Sequence, residues 1–234
     1  MKTHHKNREV LVNKVFQDVF DKYDLMNDVM SLGIHRFWKK NLIYWLNPQK
    51  NTRLIDMASG TGDIAKLYLD KTNFKGYVYC VDANKDMLNL NKKKLKKNPN
   101  VKWFCNSAEK LPFKDNYFDY YTISFGIRNV DNINEALKEA HRVLKPGGRF
   151  LCLEFSKVKN KTLNKFYKSY SKSLPQIGKF IVGKSEPYDY LISSIEKFYS
   201  QEELFKKIEK QNFTNISYRN LNGGIVAIHS AWKI

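Results

Sequence analysis

The sequence predicts an α/β fold built on a doubly wound, mostly parallel seven-stranded sheet that ends in an antiparallel hairpin. Between residues 52 and 156, short apolar runs alternate with segments of helical periodicity, which favours parallel strands joined by helical crossovers. A glycine-containing turn follows the first of these runs. Two late apolar runs are separated by Asn222-Gly223-Gly224, which is typical of a hairpin.

The N-terminal part, residues 10–47, is expected to form a helical cap. Its second helix begins near Arg36 and ends at Asn47, because the residue before Pro48 disfavours helical backbone. Its first helix has apolar side chains at i, i+3 and i+4 spacing, which places them on one face: Val12, Val15, Phe16, Val19 and Tyr23.

The central part, residues 52–156, is expected to bind a cofactor. Its run 117–125 is apolar through most of its length, as expected for a strand covered on both faces. The segment Lys145-Pro146-Gly147-Gly148 predicts a turn before the last strand. The predicted elements are strands at 53–58, 77–82, 101–105, 117–125 and 149–155, and helices at 63–71, 84–97 and 132–143.

Residues 157–199 interrupt this alternation and predict a helical insertion over the active site. They are rich in Tyr, Lys and Ser and are punctuated by Pro175, Gly178 and Pro187. Residues 200–234 predict a helix near 201–211 and strands near 213–220 and 224–232. Since no Gly/Ser-rich or Pro-rich linker divides the chain, residues 1–234 are expected to form a single domain.

The net charge of +18 would attract nucleic acid, anionic lipid headgroups or acidic small molecules. No stretch of 18 apolar residues predicts a membrane span, and the N-terminus has no apolar signal core. We therefore expect a cytoplasmic protein that contacts the inner face of the cytoplasmic membrane transiently. Cys80, Cys105 and Cys152 lie in apolar runs without CxxC spacing, which predicts reduced, buried side chains.

The segment from Asp56 to Asp63 follows a predicted strand and opens a predicted helix. Gly60 and Gly62 would let the backbone pass close to a ligand, and the helix N-terminus offers unpaired N–H groups. Ala58 stands where dinucleotide-binding loops carry their first glycine. These features predict a cofactor loop.

Two further segments extend this predicted site. Asp82 ends the second strand, where a carboxylate can accept hydrogen bonds from ribose hydroxyls. Residues 106–113 follow the third strand and could hydrogen-bond the edge of an adenine ring. The sequence has no GxxxxGK[ST] segment, so a nucleotide triphosphate site of that kind is not expected. It has no His/Cys cluster with metal-ligand spacing, so no metal is expected.

Together these features resemble class I S-adenosylmethionine-dependent methyltransferases, whose fold is Rossmann-like. Two blocks resemble one family in particular, the ubiquinone/menaquinone biosynthesis C-methyltransferases (the UbiE family): Tyr23 to Trp38 and Arg142 to Ser156. Residues 122–130 and 223–229 are also typical of that family. The resemblance runs from about Val15 to Ile234 and departs mildly at Ala58 and Ser59.

The resemblance implies S-adenosylmethionine as methyl donor and S-adenosylhomocysteine as product. The implied substrate is the reduced ring of a 2-methoxy-6-polyprenyl-1,4-benzoquinol, of demethylmenaquinol, or of both, methylated at a ring carbon. By position, Thr61 matches the family's cofactor-loop contact and Asp82 its ribose-binding acid. Ser107 and Ala108 match its adenine-edge pair, and Ser124 matches a further cofactor contact.

A quinol ring carbon becomes a strong nucleophile when a neighbouring hydroxyl loses its proton, so the site needs a proton acceptor or a cation that favours phenolate. Arg128 is expected to stabilise the phenolate or to orient a water that takes the proton. Alternatively, it pairs with a carboxylate such as Asp24 or Asp131. Asn129 is expected to hold the quinol oxygens.

Three N-terminal residues complete the set of catalytic candidates. The ordinary pKa of His35 suits a general base, and the alternative is a buried histidine that packs the N-terminal helices. Tyr23 and Asp24 either line the ring pocket or cap a helix junction.

A lipid-tailed substrate would need an apolar groove between the N-terminal helices and the insertion. Its candidate residues are Met26, Met30, Phe37, Trp38, Tyr167, Tyr170, Phe180, Ile181 and Tyr188, and plain core packing is the alternative. A homodimer or a quinone-synthesis complex is left open as an assembly.

Two other functions are open from the sequence. An RNA methyltransferase would suit the positive charge, although an Asn/Asp-Pro-Pro-Tyr/Phe block does not follow the fourth strand and no RNA-binding module is visible, so nucleic acid is not expected as a partner. A non-catalytic lipid-binding subunit of a quinone-synthesis complex is the second alternative.

Overall fold

The computed structural model describes residues 23–183 and 185–234, and their fold is a seven-stranded sheet with helices on both faces. The predicted helical face from Val12 to Val19 therefore lies outside the described residues. The strands are β1 (Arg53–Met57), β2 (Tyr77–Asp82), β3 (Val101–Cys105), β4 (Phe118–Ser124), β5 (Leu144–Phe155), β6 (Thr214–Leu221) and β7 (Val226–Trp232).

The strand order is β3-β2-β1-β4-β5-β7-β6, with β1 to β5 parallel and β7 antiparallel to both of its neighbours. The chain order reverses between β1 and β4, and ligands of such sheets bind at the carboxyl ends of the strands near this reversal. The predicted fold class is confirmed, including the closing hairpin, whose 3₁₀ turn spans Asn222–Gly224.

The helices of the described chain fall near the predicted positions. They are α1 (Tyr23–Ser31), α2 (His35–Leu46), α3 (Asp63–Lys71), α4 (Lys85–Leu95), α5 (Ile133–Val143), α6 (Lys161–Val182), α7 (Glu186–Lys197) and α8 (Gln201–Glu209). The side chains of Asn84, Asn132 and Ser200 accept N–H groups at the starts of α4, α5 and α8, and these caps fix where each helix begins.

Two apolar cores lie on opposite faces of the sheet, because successive strand residues point to opposite sides. Leu54 packs with α2, α3, α6 and α7, whereas its neighbour Ile55 packs with α5 and α8. Helices therefore cover both faces of the sheet.

Two local predictions were wrong. Residues 145–148 belong to β5 rather than to a turn, because Gly147 donates to the Lys233 carbonyl at 2.7 Å and the Lys233 N–H donates to Gly148. The predicted helical insertion includes α6, which contains Pro175 and ends at Val182 with Gly183 as its C-cap. Cys105 is exposed, while Cys80 and Cys152 are buried as predicted.

Gly178 shows why α6 and α7 pack closely. A Cβ atom at this position would lie 2.2 Å from the ring of Tyr188, which is fully buried in α7. Glycine thus lets the two insertion helices approach each other. In residues 23–183 and 185–234, no helix combines the length and the apolarity needed to cross a bilayer.

Candidate active site

A cavity opens at the carboxyl edge of the sheet, where β1, β2 and β4 end. We call it the cofactor cavity. Six of the residues predicted from the sequence line it: Gly60, Asp82, Ser107, Ala108, Ser124 and Asn129. The structure thus brings together residues that lie up to 69 positions apart in the sequence.

The loop after β1 turns sharply because several of its residues adopt left-handed backbone. Ala58, Gly60 and Gly62 have φ angles of 53°, 50° and 88°. Gly62 precedes α3, and a Cβ there would lie 2.8 Å from the amide oxygen of Asn91, so packing requires this glycine. Thr61, between these two glycines, is buried and does not line the cofactor cavity.

Gly126 explains how the loop tolerates Ala58. A Cβ atom added to Gly126 would lie 2.3 Å from the Cβ of Ala58. The alanine in the first glycine position is therefore accommodated by a glycine that follows β4, on the other wall of the same cavity. Sequence reasoning did not connect these two residues, because the contact is tertiary.

Asp82 organises the floor of the cofactor cavity. Its Oδ2 accepts the Gly60 N–H and its Oδ1 accepts the Asn84 N–H, both at 2.9 Å. Burial raises the pKa of Asp82, and these two hydrogen bonds offset that effect only in part. The carboxylate therefore joins the end of β2 to the loop after β1, and it lies where a ribose-binding acid is expected.

Two buried polar atoms near the cavity have no hydrogen-bond partner among the described residues. They are Oδ2 of Asp56 and the hydroxyl of Ser124. The other Asp56 oxygen accepts the Thr122 hydroxyl at 3.1 Å, and burial raises the pKa of Asp56 to about 7. Ser124 lines the cavity, whereas Asp56 does not. An unpaired buried polar atom is costly, so the Ser124 hydroxyl suits a polar ligand, and the Asp56 carboxylate would add negative charge near it when ionised.

Lys39 is a buried cation that sequence reasoning missed. Its ammonium donates to Asp63 at 2.7 Å, and α3 begins at this aspartate. Burial raises the pKa of Asp63, but Lys39, with smaller effects of Lys94 and His35, more than offsets this, and the pKa is lowered. The charge of Lys39 also acts on Asp56. Its spacing of four residues from His35 on α2 was the available signal.

His35 lies at the junction of α1 and α2, outside the residues that line the cofactor cavity. Its Nε2 is 2.9 Å from Oδ1 of Asp28, and the imidazole is buried. Burial, together with the charge of Lys39, lowers the pKa of His35. Tyr23 and Asp24 are the first two residues of α1, and their side chains lie outside the described part of the chain.

Arg128 forms a buried salt bridge with Glu154, which lies in β5. The guanidinium Nη1 donates to Glu154 Oε1 at 2.6 Å and to the Phe125 carbonyl at 2.7 Å. The alternative that Arg128 pairs with a carboxylate is thus met by Glu154, from a neighbouring strand, and the side chain of the candidate Asp24 lies outside the described part of the chain. A lone acid in the apolar run 150–155 was the signal for Glu154.

The Arg128 side chain fixes the turn that follows β4. Phe125 has a φ angle of 56°, and its carbonyl is one of the two groups that Arg128 binds. Glu154 also accepts the Phe155 N–H at 2.9 Å. Burial raises the pKa of Glu154, and the charge of Arg128 offsets this effect only in part. The pair therefore connects the ends of β4 and β5 under the cofactor cavity.

Two more cavities adjoin this region. The outer cavity, of about 870 Å³, is lined by Arg128 and by parts of α5, α7 and α8, and it shares Val130 and Asp131 with the cofactor cavity. The insertion cavity is lined by apolar and polar residues of α1, α6 and α7, including Met30 and Tyr167. Asn129 reaches α7 by accepting the Tyr190 hydroxyl at 3.0 Å.

The residues predicted for a tail groove are distributed over three environments. Met30 and Tyr167 line the insertion cavity, and Trp38 and Tyr188 are buried core. Phe37 and Phe180 are exposed, and the Tyr170 hydroxyl donates to the Val29 carbonyl. The side chains of Met26 and Ile181 lie outside the described part of the chain.

This arrangement suits a small ligand that has a cationic centre and hydroxyl groups. Carboxylates of Asp56 and Asp82 lie at the ends of adjacent parallel strands, and Ser107 and Ala108 lie on the same cavity wall. S-adenosylmethionine has a sulfonium, a ribose and an adenine ring, so the groups of the cavity fit it.

Comparison with known proteins agrees with this fit. The model of the ubiE/COQ5 methyltransferase family matches residues 2–233. The chain is 53% identical to a ubiquinone/menaquinone biosynthesis C-methyltransferase UbiE of Rickettsia bellii, over 97% of this chain and 94% of the relative. A protein of the same name from Bartonella quintana is 47% identical over 97% of this chain and 90% of its own length.

A solved structure from Thermotoga maritima, described as an S-adenosylmethionine-dependent methyltransferase and possible histamine N-methyltransferase, has the same fold. It superposes with a TM-score of 0.66 at 19% identity and covers 95% of this chain and 99% of its own. At that identity the likeness concerns the fold alone. The match of residues 2–233 and the identity of about half to full-length relatives show that the chain belongs to the ubiE/COQ5 methyltransferase family, whose members use S-adenosylmethionine.

Proposed function

We propose that this protein methylates a ring carbon of a lipid-tailed quinol in the synthesis of ubiquinone, menaquinone, or both. The name of the relatives supports this reading, since they are ubiquinone/menaquinone biosynthesis C-methyltransferases at 53% and 47% identity. The structural observation that carries the proposal is the position of Arg128, which lines a large cavity that adjoins the cofactor cavity through Val130 and Asp131.

When bound, S-adenosylmethionine supplies an electrophilic methyl group on a positively charged sulfur. Asp82 would hold the ribose, Ser107 and Ala108 the adenine edge, and Ser124 a further polar group. Asp56 would place negative charge beneath the cation. Gly60 would allow the backbone to approach the cofactor closely. Thr61 and Gly62 would hold the loop in place by packing against the interior of the protein.

Arg128 would raise the nucleophilicity of the ring by favouring the phenolate form of the quinol. A guanidinium keeps its charge near neutral pH, so it stabilises an anion but is a poor proton acceptor. Glu154 and the Phe125 carbonyl hold the guanidinium in place. Asn129 would orient a quinol oxygen, and Tyr190 holds its amide.

The prenyl tail would occupy the insertion cavity. Met30, Leu174, Ile192 and Ile195 give this cavity an apolar wall. The charge of Arg128 acts on Tyr167, another of its lining residues, so the cavity lies near the proposed ring site. Residues 157–199 would then serve as the cover of the active site.

The test incubates the protein with labelled S-adenosylmethionine and demethylated benzoquinol or naphthoquinol, each reduced or oxidised. Labelled product is expected from the reduced rings alone, because an oxidised ring has no hydroxyl that could form phenolate. Equal labelling of the oxidised rings would contradict the role given to Arg128. Absence of product from every ring, with normal S-adenosylhomocysteine affinity, would contradict the proposed substrate.

A further inference from the structure

The helix α6 carries a continuous stripe of lysines. Five lysines follow one another at spacings of 4, 3, 4 and 7 residues, and this periodicity places them on one helical face. All five are exposed, and the 22 residues of α6 include no acidic side chain. The lysine stripe consists of Lys161, Lys165, Lys168, Lys172 and Lys179.

The charge of the lysine stripe is not neutralised within the described part of the chain. Lys39, Lys66, Lys145 and Lys159 each have a carboxylate within 2.7 Å, whereas no ion pair of residues 23–183 and 185–234 involves a lysine of α6. At a rise of about 1.5 Å per residue the stripe is about 27 Å long. It is therefore an extended cationic surface that suits an extended anionic partner.

Two phenylalanines of α6 are exposed to solvent. Phe166 is 70% exposed and Phe180 is 92% exposed, although both are large apolar side chains. Each follows a lysine of the stripe directly in the sequence. A helix that combines lysines with exposed aromatic residues binds at the boundary between lipid headgroups and acyl chains.

The insertion cavity borders the lysine stripe at Lys168 and extends over the side of α6 next to it. Tyr167 and Leu174 line that cavity, and Leu174 is buried. One helix thus has an outer cationic stripe and an inner wall at the cavity that we assign to the prenyl tail. A substrate with such a tail resides in a bilayer, so a bilayer at α6 would lie beside the cavity that receives it.

We propose that α6 is the surface by which this protein docks on an anionic lipid bilayer. The lysine stripe would contact headgroup phosphates, and Phe166 and Phe180 would enter the interface. This inference rests on the proposed function for its purpose, but the binding itself can be measured without any substrate. RNA is the other extended polyanion, and the exposed phenylalanines together with the adjoining cavity favour the bilayer.

The test compares a variant of the stripe with a matched variant elsewhere. The stripe variant replaces Lys165, Lys172 and Lys179 by Gln, which keeps helix propensity and leaves the cavity residue Lys168 unchanged. The control replaces three exposed lysines in or just after α4 by Gln and so removes the same charge: Lys92, Lys93 and Lys97. Co-sedimentation with vesicles of phosphatidylcholine, with or without phosphatidylglycerol, gives the partition coefficient.

The unchanged protein is expected to bind vesicles that contain phosphatidylglycerol and to be released by salt. Since each lysine near an anionic surface adds about fivefold to binding, the stripe variant should lose a factor on the order of 100, while the control keeps its affinity. Equal losses in both variants would contradict the proposal, because binding would then follow net charge. Equal binding to phosphatidylcholine alone, or a loss confined to RNA binding, would also overturn it.

Activity separates this inference from the proposed function. The stripe variant is expected to methylate a short-tailed, water-soluble quinol at the unchanged rate and a long-tailed quinol in phosphatidylglycerol vesicles more slowly. If neither quinol is methylated by the unchanged protein while the vesicle result holds, the proposed function fails and the docking surface stands. If both quinols are methylated normally by the stripe variant in vesicles, the docking surface fails alone.

Discussion

Three aspartates near the cofactor cavity differ in how their charge is compensated. Asp63 has a buried ammonium from Lys39, and Asp82 has two backbone N–H donors. Asp56 has a single hydroxyl donor and one oxygen without a partner in the described chain. The least compensated carboxylate is therefore the one whose pKa burial raises to about 7.

Asp56 should make the stability of the ligand-free protein depend on pH. A pKa of about 7 in the folded state, against 3.8 in the unfolded state, means that the folded state binds the proton more tightly. The stabilisation is complete below pH 3.8 and is lost as pH rises through about 7. Over that window Asp56 lowers the free energy of unfolding by up to about 1.4 kcal/mol per pH unit.

The measurement is urea denaturation at several pH values, with Asp56→Asn as the comparison. Asparagine does not titrate, so the difference in slope between the two proteins isolates the contribution of Asp56 from those of Asp82 and Glu154. If Asp56→Asn keeps the slope of the unchanged protein, burial does not raise the pKa of Asp56. The carboxylate would then have stabilising partners beyond the Thr122 hydroxyl.

The Arg128–Glu154 pair allows structural and chemical roles to be separated. Arg128→Met leaves a buried carboxylate without its cation and should lower the free energy of unfolding by about 3–5 kcal/mol. Adding Glu154→Gln removes the unpaired charge, so the double variant should recover most of this stability. The rate of quinol methylation should stay at least about 100-fold below that of the unchanged protein, because the phenolate lacks its cation. Recovery of both quantities in the double variant would make Arg128 a structural residue alone.

At the scale of elements, the loop after β1 and the turn after β4 constrain each other through one contact. Gly126→Ala should weaken binding of S-adenosylhomocysteine and lower stability by about 1–3 kcal/mol, because its Cβ collides with the Cβ of Ala58. Neither atom can move away by a change of rotamer. Ala58→Gly removes the collision and suits the left-handed backbone at this position.

The double variant Ala58→Gly, Gly126→Ala should therefore bind S-adenosylhomocysteine nearly as well as the unchanged protein. Calorimetry on the two single variants and the double variant measures the coupling between the sites. Simple additivity of the two effects would show that the collision is relieved by backbone movement.

The packing of α6 on α7 depends on Gly178 in the same manner. Gly178→Ala should separate the insertion helices, since the added Cβ would overlap the Tyr188 ring, and the thermal midpoint should fall. Binding of S-adenosylhomocysteine should be unchanged, because neither residue lines the cofactor cavity, while the KM for a long-tailed quinol should rise. Ser169→Ala, at an exposed position of α6, is the control. A loss of cofactor affinity in Gly178→Ala would mean that the insertion and the cofactor cavity are coupled.

For the whole molecule, the strands of the sheet could be predicted from the sequence, because apolar runs alternate regularly with segments of helical periodicity. The apolar runs predicted the bounds of β2 and β3 correctly. The sequence also placed Gly60 and Asp82 at the same edge of the sheet, because each lies at or just after the end of a predicted strand. The sequence did not reveal that Glu154 holds Arg128 or that Lys39 reaches Asp63, because these pairs join elements that are distant in the chain. Pro175 is accommodated within α6, which packs against α7 and α1.

The two ligand regions should respond separately to their ligands in hydrogen exchange. If S-adenosylhomocysteine occupies the cofactor cavity as proposed, it should slow exchange at 58–62 and 82–84 and leave α6 and α7 nearly unchanged. A long-tailed quinone, used as a product analogue, should slow exchange in α6 and α7 because it would occupy the insertion cavity. Amides of β1 and β4 should exchange slowest in all states, since both strands lie in the centre of the sheet. Protection of α6 by S-adenosylhomocysteine alone would mean that the cofactor closes the insertion over the site before the quinol binds.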